Sequence, residues 1–433
     1  MYSENIETIL DNSNIEVGDR IKVDGREGVL MPKPSSGDPG SVVLKLESGY
    51  NIGLEPENIE LVEKNRSEPE EKTAIEHEDD KPDIMVLHTG GTIASRVSYE
   101  EGGVKPAFDP EDLVEMYPEL AEEVNIHSEV IAQMLSEDME PAHWQEIAEK
   151  IDEVKDEYDG IIIGHGTDTM AYTGAALTLM VQNIDTGVLL VGSQRSSDRP
   201  STDASMNMYC AGKFLSETDF NGIGICMHRT SSDDETVVLP AAKARKMHTS
   251  RRNAFQGINA EPLGTIDYQT GEITENYEEN TGDYKLSTDL NPNVGILKTR
   301  PGMKPEELDF LIEQDYDGVI IEGTGLGHMP VNAFDEKTQH HEEILEKLDE
   351  LADEAVVVMA SQCLNGRVNM NVYDAGLKIQ DAGVIGAEDM PPELAYVKLM
   401  WSLGNTGSMK EAEEVFTENI GGEVNKRLEY NEL

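Results

Sequence analysis

The chain has 433 residues, with 34 Lys+Arg against 86 Asp+Glu and a formal net charge of −52 at pH 7. That length exceeds one ordinary core and points to two or three domains. The acidity excludes a surface that binds nucleic acid unaided at low salt, and apolar runs such as GVLLVGSQ (187–194) and AVVVMASQ (355–362) exclude a disordered acidic chain.

Acids spread over helix faces and loops fit a folded protein adapted to high salt, where screening removes self-repulsion, so a halophilic source is expected. The opening MYSENIETIL has no basic segment leading into an apolar one, and no run approaches 18 apolar residues. A cytoplasmic protein without membrane contact is therefore expected. Cys210, Cys226 and Cys363 are widely separated and form no CxxC pair. Reduced, core-packed thiols are expected, with neither a disulfide framework nor a zinc site.

In chain order, DRIKVDGREGVLM, PKPSSGDPG and SVVLKLESGYNIGL alternate short apolar runs with turn residues. They predict a small all-β unit of about five strands, a barrel of SH3-like or OB type, over residues 1–65. The charged segment EKNRSEPEEKTAIEHEDDK (63–81) reads as a solvated linker, assigned to 66–82. Beyond it DIMVLHT, YDGIIIGHG, GVLLVGSQ and GIGICMH are buried-type strands, with helical HWQEIAEKIDEV and MAYTGAALTLMVQN between them. This alternation predicts an α/β domain with a parallel sheet over 83–289, in which turn-rich 258–292 serves as a connector. A smaller α/β domain over 290–433 follows from NVGILKTRPG, YDGVIIEGTGLGH, AVVVMASQC and the closing helix PPELAYVKLMWSLG.

Open α/β sheets bind ligands beyond the carboxyl ends of their strands. The first strand ends in HTGGTIAS, where Gly90 and Gly91 bring Thr92 to the mouth; the second ends in GHGTDTM, where Gly166 does the same for Thr167 and Asp168. Helix capping explains each motif alone, but two hydroxyl-bearing Gly loops after successive strands exceed what capping accounts for. KARKMHTSRRNAF (243–255) is unusually basic for this chain, and beside Thr167 and Asp168 its Lys246, desolvated and oriented by the carboxylate, can accept a proton from a threonine or a water. GTGLGHMP (323–330) lacks the Walker lysine and a complete GxGxxG, and neither HExxH nor GxSxG occurs. His88, His165 and His248 are read as loop hydrogen-bonders, and no metal is expected.

TGGTIAS (89–95), HGTDTM (165–170), GSQRSSDRPSTDA (192–204) and RKMHTS (245–250), in this order, resemble the L-asparaginase/glutaminase family of threonine amidohydrolases. The resemblance covers residues 83 to about 410 and implies two α/β domains, with a site at a subunit contact in a homodimer or larger assembly. It implies Thr92 as nucleophile, Thr167, Asp168 and Lys246 as a second triad, and Ser136 of LSEDM as a binder of the substrate α-carboxylate. Asp168 would also pair with the α-amino group, while backbone N–H groups at Gly91 and Gly166 would hold the oxyanion. The family's loop tyrosine has only Tyr99 as a counterpart, at a shorter spacing, and its role stays open.

The N-terminal β unit, the linker and GAEDMPPELAYVKLMWSLG (386–404) resemble the asparaginase-like subunits of archaeal tRNA-dependent amidotransferases. That likeness implies release of ammonia from glutamine or asparagine to a tRNA-binding kinase/amidotransferase partner, the E subunit of such enzymes, in a heterotetramer. It further implies no cofactor in this chain, ATP and Mg²⁺ on the partner, and tRNA contact mainly through the partner. A free-standing cytoplasmic L-asparaginase is the alternative, and a non-catalytic scaffold a third reading.

Overall fold

The computed structural model describes residues 2–31, 38–46, 51–56, 58–64, 77–90, 93, 95–98, 103–106, 110–196 and 201–428. Near the N-terminus, a helix Glu4–Asn12 and five short strands enclose Ile6, Ile21, Val23, Leu30, Val42 and Leu44. The strands are Arg20–Val23, Arg26–Leu30, Val42–Lys45, Asn51–Leu54 and Ile59–Glu63, all antiparallel, in the spatial order fourth, third, second, first, fifth. Among the described residues no ladder joins the fourth strand to the fifth, so antiparallel sheet, not closed barrel, is the description that applies.

Among the described residues the main sheet has eight strands. Its parallel part runs Gly222–His228, Gly187–Val191, Gly160–Gly164, Asp83–Gly90 and, at the edge, Asn125–Met134. Ile161, Ile162 and Ile163 are all fully buried because helices cover both faces. The alternation of side chains along a strand divides them. Ile161 and Ile163 pack with Leu87, Val188 and Leu190 under the helices Pro141–Val154, Met170–Met180 and Pro392–Gly404. Ile162 faces Ile84, Val86 and Leu189 on the other side, under Pro118–Glu123 and Ala204–Glu217.

Residues 258–292 are more than the connector the sequence suggests. Glu235–Pro240 turns back antiparallel on Gly222–His228, and Gly264–Asp267 and Ile273–Glu275 extend the same sheet as antiparallel edge strands. Lys285–Leu286 pairs with Val181–Gln182, which also ends the preceding helix at Met180. Strands of two to four residues among turn-formers leave little periodic signal, which is why the sequence conceals them.

A four-stranded parallel sheet follows, in the order Val294–Lys298, Gly318–Gly323, Val356–Ser361, Ile385–Gly386. One face packs on Leu308, Leu311, Ile344, Leu348 and Ile379. The other shares a core with the first domain, since Ile320, Val356 and Val358 belong to the cluster that holds Ile161 and Leu177, with Leu394 and Leu399 between them. The two α/β units are thus joined through one apolar layer centred on the helix Pro392–Gly404.

The acids stay outside. Among the described residues the buried ones are Asp19, Asp203, Asp389 and Glu423, and each is compensated, as burial of charge requires. Asp19 pairs with Lys64 at 3.1 Å, Glu423 with Lys398 at 2.6 Å, and Asp389 with Lys243, while Asp203 accepts backbone N–H groups. Cys210 and Cys226 are buried free thiols with pKa values raised by burial, Cys210 to about 12; Cys363 is free but exposed, contrary to the expected core placement. No helix among the described residues is long and apolar enough to cross a membrane.

Candidate functional site

The mouth of the main sheet is where its two central parallel strands end. Their register sets Gly164 beside His88, and Thr89 Oγ1 donates to the Gly164 carbonyl at 3.0 Å, tying the two exit loops together. Gly90 has φ +106°, and a Cβ there would lie 2.3 Å from the Met134 carbonyl, so only glycine lets the first strand cross its edge neighbour. Gly91, Thr92 and Tyr99 lie outside the described residues. Next to that stretch, Ile93 is buried and its carbonyl accepts from Tyr117 Oη at 2.6 Å.

After Gly164 the chain is held from beneath by His165. Its Nδ1 lies 2.6 Å from the Gly166 carbonyl and its Nε2 2.8 Å from Thr173 Oγ1. A carbonyl can only accept, so Nδ1 carries the proton and Thr173 donates to Nε2. Burial keeps this ring neutral, lowering its pKa from 6.5 to about 4, and lowers that of His88 to about 4 as well. Both rings sit in the packed interior: His165 is the loop hydrogen-bonder the sequence suggests, with its ring turned inward, whereas His88 lies on the strand Asp83–Gly90 and not in a loop. His248 does serve its loop: Nδ1 accepts from the N–H groups of Ser250 and Arg251, each at 3.1 Å.

A pH dependence follows from His165. Between pH 6.5 and 4 the unfolded chain binds protons that the native rings refuse, so stability falls as pH falls through that window. The loss reaches about 3 kcal/mol per buried ring near pH 4. In molar KCl, melting temperature should drop between pH 7 and 4.5, and less steeply in His165→Asn than in wild type. Identical slopes in the two proteins would remove His165 as the cause.

Gly166 permits a close crossing, since a Cβ there would be 2.7 Å from Ser136 Cβ. Ser136 is buried in the turn Ser136–Asp138; its Oγ accepts from the Asp168 N–H at 3.3 Å and its carbonyl from Thr169 Oγ1 at 2.6 Å. Thr167 is buried at the mouth, while the Asp168 side chain is 66% exposed.

Lys246 closes the group. Its Nζ donates to Thr167 Oγ1 and to Asp168 Oδ1, both at 2.8 Å. It stands at the end of the short strand Ala244–Lys246, paired with Phe255–Gly257. Side chains alternate there, so Arg245 points the other way and meets Glu393 at 2.7 Å. The structure thus gathers Ser136, Gly166, Thr167, Asp168 and Lys246 in one place: a hydroxyl, a carboxylate and an amine within hydrogen-bonding reach, the parts of a proton relay.

Two supports carried no signal that sequence reasoning used. Asp203, fully buried ahead of Ala204–Glu217, does not cap that helix; it accepts from the N–H groups of Gln194 (2.9 Å) and Arg195 (3.0 Å) and so fixes the start of GSQRSSD. An Asp before a helix reads as a cap, which hides this second use. Lys243, three residues before Lys246, makes a fully buried ion pair with Asp389, which also accepts from Asn425 N at 2.9 Å and Nδ2 at 2.7 Å.

Known proteins agree on the type of chain. Residues 83–280 match the family described as asparaginase, N-terminal, 293–416 the glutaminase/asparaginase C-terminal domain, and 15–64 the GatD N-terminal domain. The thermostable L-asparaginase from Thermococcus kodakarensis superposes with a TM-score of 0.71 at 32% identity, over 80% of this chain and 100% of that one. The D subunit of glutamyl-tRNA(Gln) amidotransferase from Pyrococcus furiosus is 42% identical over 97% of both chains. Its counterpart from Methanopyrus kandleri is 41% identical over 96% of this chain and 93% of its own. Full-length likeness to these proteins, with their N-terminal domain in place, is something an asparaginase match over 80% of the chain does not reach, and the chain therefore belongs to the asparaginase/glutaminase family in its GatD branch, that of the glutamyl-tRNA(Gln) amidotransferases.

Proposed function

We propose that this chain is the glutamine-hydrolysing subunit of a tRNA-dependent amidotransferase, releasing ammonia that a partner uses to convert Glu-tRNA(Gln) to Gln-tRNA(Gln). The observation that carries the reading is the Lys246 bridge between Thr167 and Asp168, beside Ser136, in a chain that also has the GatD N-terminal domain over 15–64. In the proposed reaction Thr92 Oγ1 attacks the side-chain carboxamide carbon, and backbone N–H groups at Gly91 and Gly166 hold the oxyanion; one such donor is worth about 2.7–4 kcal/mol. Collapse expels ammonia, which takes up the proton given by the attacking hydroxyl. A water then attacks the acyl-threonine, and its proton, relayed by Thr167 and Lys246, ends on the departing Thr92 Oγ1, which restores the hydroxyl and frees the acid. Ser136 holds the substrate α-carboxylate and Asp168 its α-amino group.

The chain works without a cofactor of its own in this proposal, as a homodimer within a heterotetramer with the tRNA-binding kinase/amidotransferase partner. ATP, Mg²⁺ and most tRNA contacts belong to that partner, in the cytoplasm of a halophile. Ammonia that met bulk water would be protonated and lost as a nucleophile, so it passes through the subunit contact. The test is glutamine and asparagine hydrolysis in high salt, with and without the partner and Glu-tRNA(Gln), for wild type and Thr92→Ala. Stimulation by partner and tRNA, abolished in Thr92→Ala, is the expected result. Full activity of the lone chain would favour a free-standing asparaginase, and an active Thr92→Ala would remove the nucleophile assignment.

A further inference from the structure

At the amino ends of the main-sheet strands, away from the mouth, two imidazoles and a carboxylate converge. Asp83 opens the strand Asp83–Gly90, and His127 lies on the adjacent edge strand Asn125–Met134. Their register pairs Asp83 with Asn125, so His127, two residues on, shares the face that carries the Asp83 side chain. His127 Nε2 is 3.0 Å from Asp83 Oδ1, and the His77 ring meets the His127 ring edge-on at 4.5 Å. One ligand atom from each of His77, Asp83 and His127 lies within 4.8 Å of the others.

We propose that His77, Asp83 and His127 form a binding site for a transition-metal ion, with Zn²⁺ the expected occupant. Tetrahedral zinc with bonds near 2.0 Å sets its ligand atoms about 3.3 Å apart. One edge of that figure is already close to formed by Asp83 and His127, and exposed His77 closes the rest by side-chain rotation. Water completes the coordination. The chemistry of the donors selects the metal: the acidic surface offers oxygen alone, which suits Mg²⁺ and Ca²⁺, whereas paired imidazoles select zinc, nickel or cobalt. Supporting contacts that orient the ligands are present too. Asn125 Nδ2 donates to Asp83 Oδ1 at 3.1 Å, and the Tyr158 ring packs 4.9 Å from His127.

The place of the cluster gives it a structural task. Catalysis in such sheets sits at the carboxyl ends, so a metal at the amino ends takes no part in amide hydrolysis. His77 instead lies six residues ahead of the strand that starts at Asp83, on the stretch leading into it. Asn125 already grips that stretch, accepting from Glu78 N and donating to the Glu78 carbonyl, both at 3.0 Å. A metal on His77 and His127 fastens the same stretch to the sheet edge.

The test uses the full chain, stripped with EDTA and kept in molar KCl so that surface carboxylates are screened. Zn²⁺ is titrated by calorimetry, and Co²⁺ by its visible spectrum. The expected result is one saturable Zn²⁺ per chain, a tetrahedral Co²⁺ spectrum, a raised melting temperature with zinc and unchanged glutaminase activity without it. His77→Ala, at an exposed position that leaves the core untouched, should weaken Zn²⁺ at least 10-fold, and the His77→Ala/His127→Gln pair should abolish the site. No saturable binding to the folded wild type, or equal binding by the double variant, would overturn the proposal.

Discussion

Lys246→Met should lower the turnover of glutamine hydrolysis by about 10²–10⁴-fold, the range removed with a positioned acid-base group, while the protein stays folded. Methionine keeps the length of the side chain and its packing but removes the N–H groups that reach Thr167 and Asp168 at 2.8 Å. Nothing else in the core depends on those contacts, since the rest of the strand Ala244–Lys246 is held by its ladder to Phe255–Gly257 and by the Arg245–Glu393 pair. The split between constants is informative. An amine that only organised the binding of substrate would raise KM and spare kcat; one that moves a proton lowers kcat with KM little changed. Retained kcat in a folded Lys246→Met would end the proposed relay, whatever became of the Thr92 assignment.

The second large effect is on stability, at Asp389. Removing one member of a buried ion pair leaves the other charged and unpaired, at a cost of about 3–5 kcal/mol. Lys243 and Asp389 are both essentially inaccessible, and burial already pulls the Lys243 pKa down against the support of Asp389. Asp389→Ala should therefore lower the melting temperature by several degrees in high salt. It also takes from Asn425 the acceptor of its backbone N–H and one of the two acceptors of its Nδ2, leaving the bond to the Asn259 carbonyl. Lys243→Met/Asp389→Ala should recover part of the loss, because no charge is then stranded. Equal damage in the single and double variants would show that packing, not charge, is what the pair supplies. Activity should fall along with stability in Asp389→Ala, since Lys243 lies one turn of chain before Lys246 and sets where its strand begins.

How much of this was legible beforehand differs by element. The central strands announced themselves because burial on both faces leaves only apolar choices, as at Ile161, Ile162 and Ile163. Thr167 and Asp168 were visible for the opposite reason, as polar residues placed directly after such a strand and a pair of glycines. Lys246 stood out as part of a basic cluster in a chain of net charge −52. What escaped were relations across long stretches of sequence. Lys243 and Asp389 are 146 positions apart, and nothing in either neighbourhood marks its partner. His77, Asp83 and His127 have no motif spacing, since parallel register, not sequence proximity, brings His127 to Asp83. His88 was misplaced in a loop, since it belongs to the strand Asp83–Gly90, while His165 is the loop hydrogen-bonder its flanking glycines suggested, its ring folded inward to serve the Gly166 carbonyl and Thr173.

The joint between the α/β units also orders events in time. Lys246 meets Thr167 across 79 positions, but Lys243, just ahead of its strand, is held by Asp389, and Asn259, just after the partner strand Phe255–Gly257, is held through its carbonyl by Asn425, 166 positions beyond Asn259. Contacts of such sequence separation form late, and domains emerge from the ribosome N-terminal first. The first α/β unit can collapse on the ribosome with its binding mouth formed yet its amine unplaced. The contact of Lys246 with Thr167 and Asp168 is then completed only once Asp389 and Asn425 have been synthesised and docked.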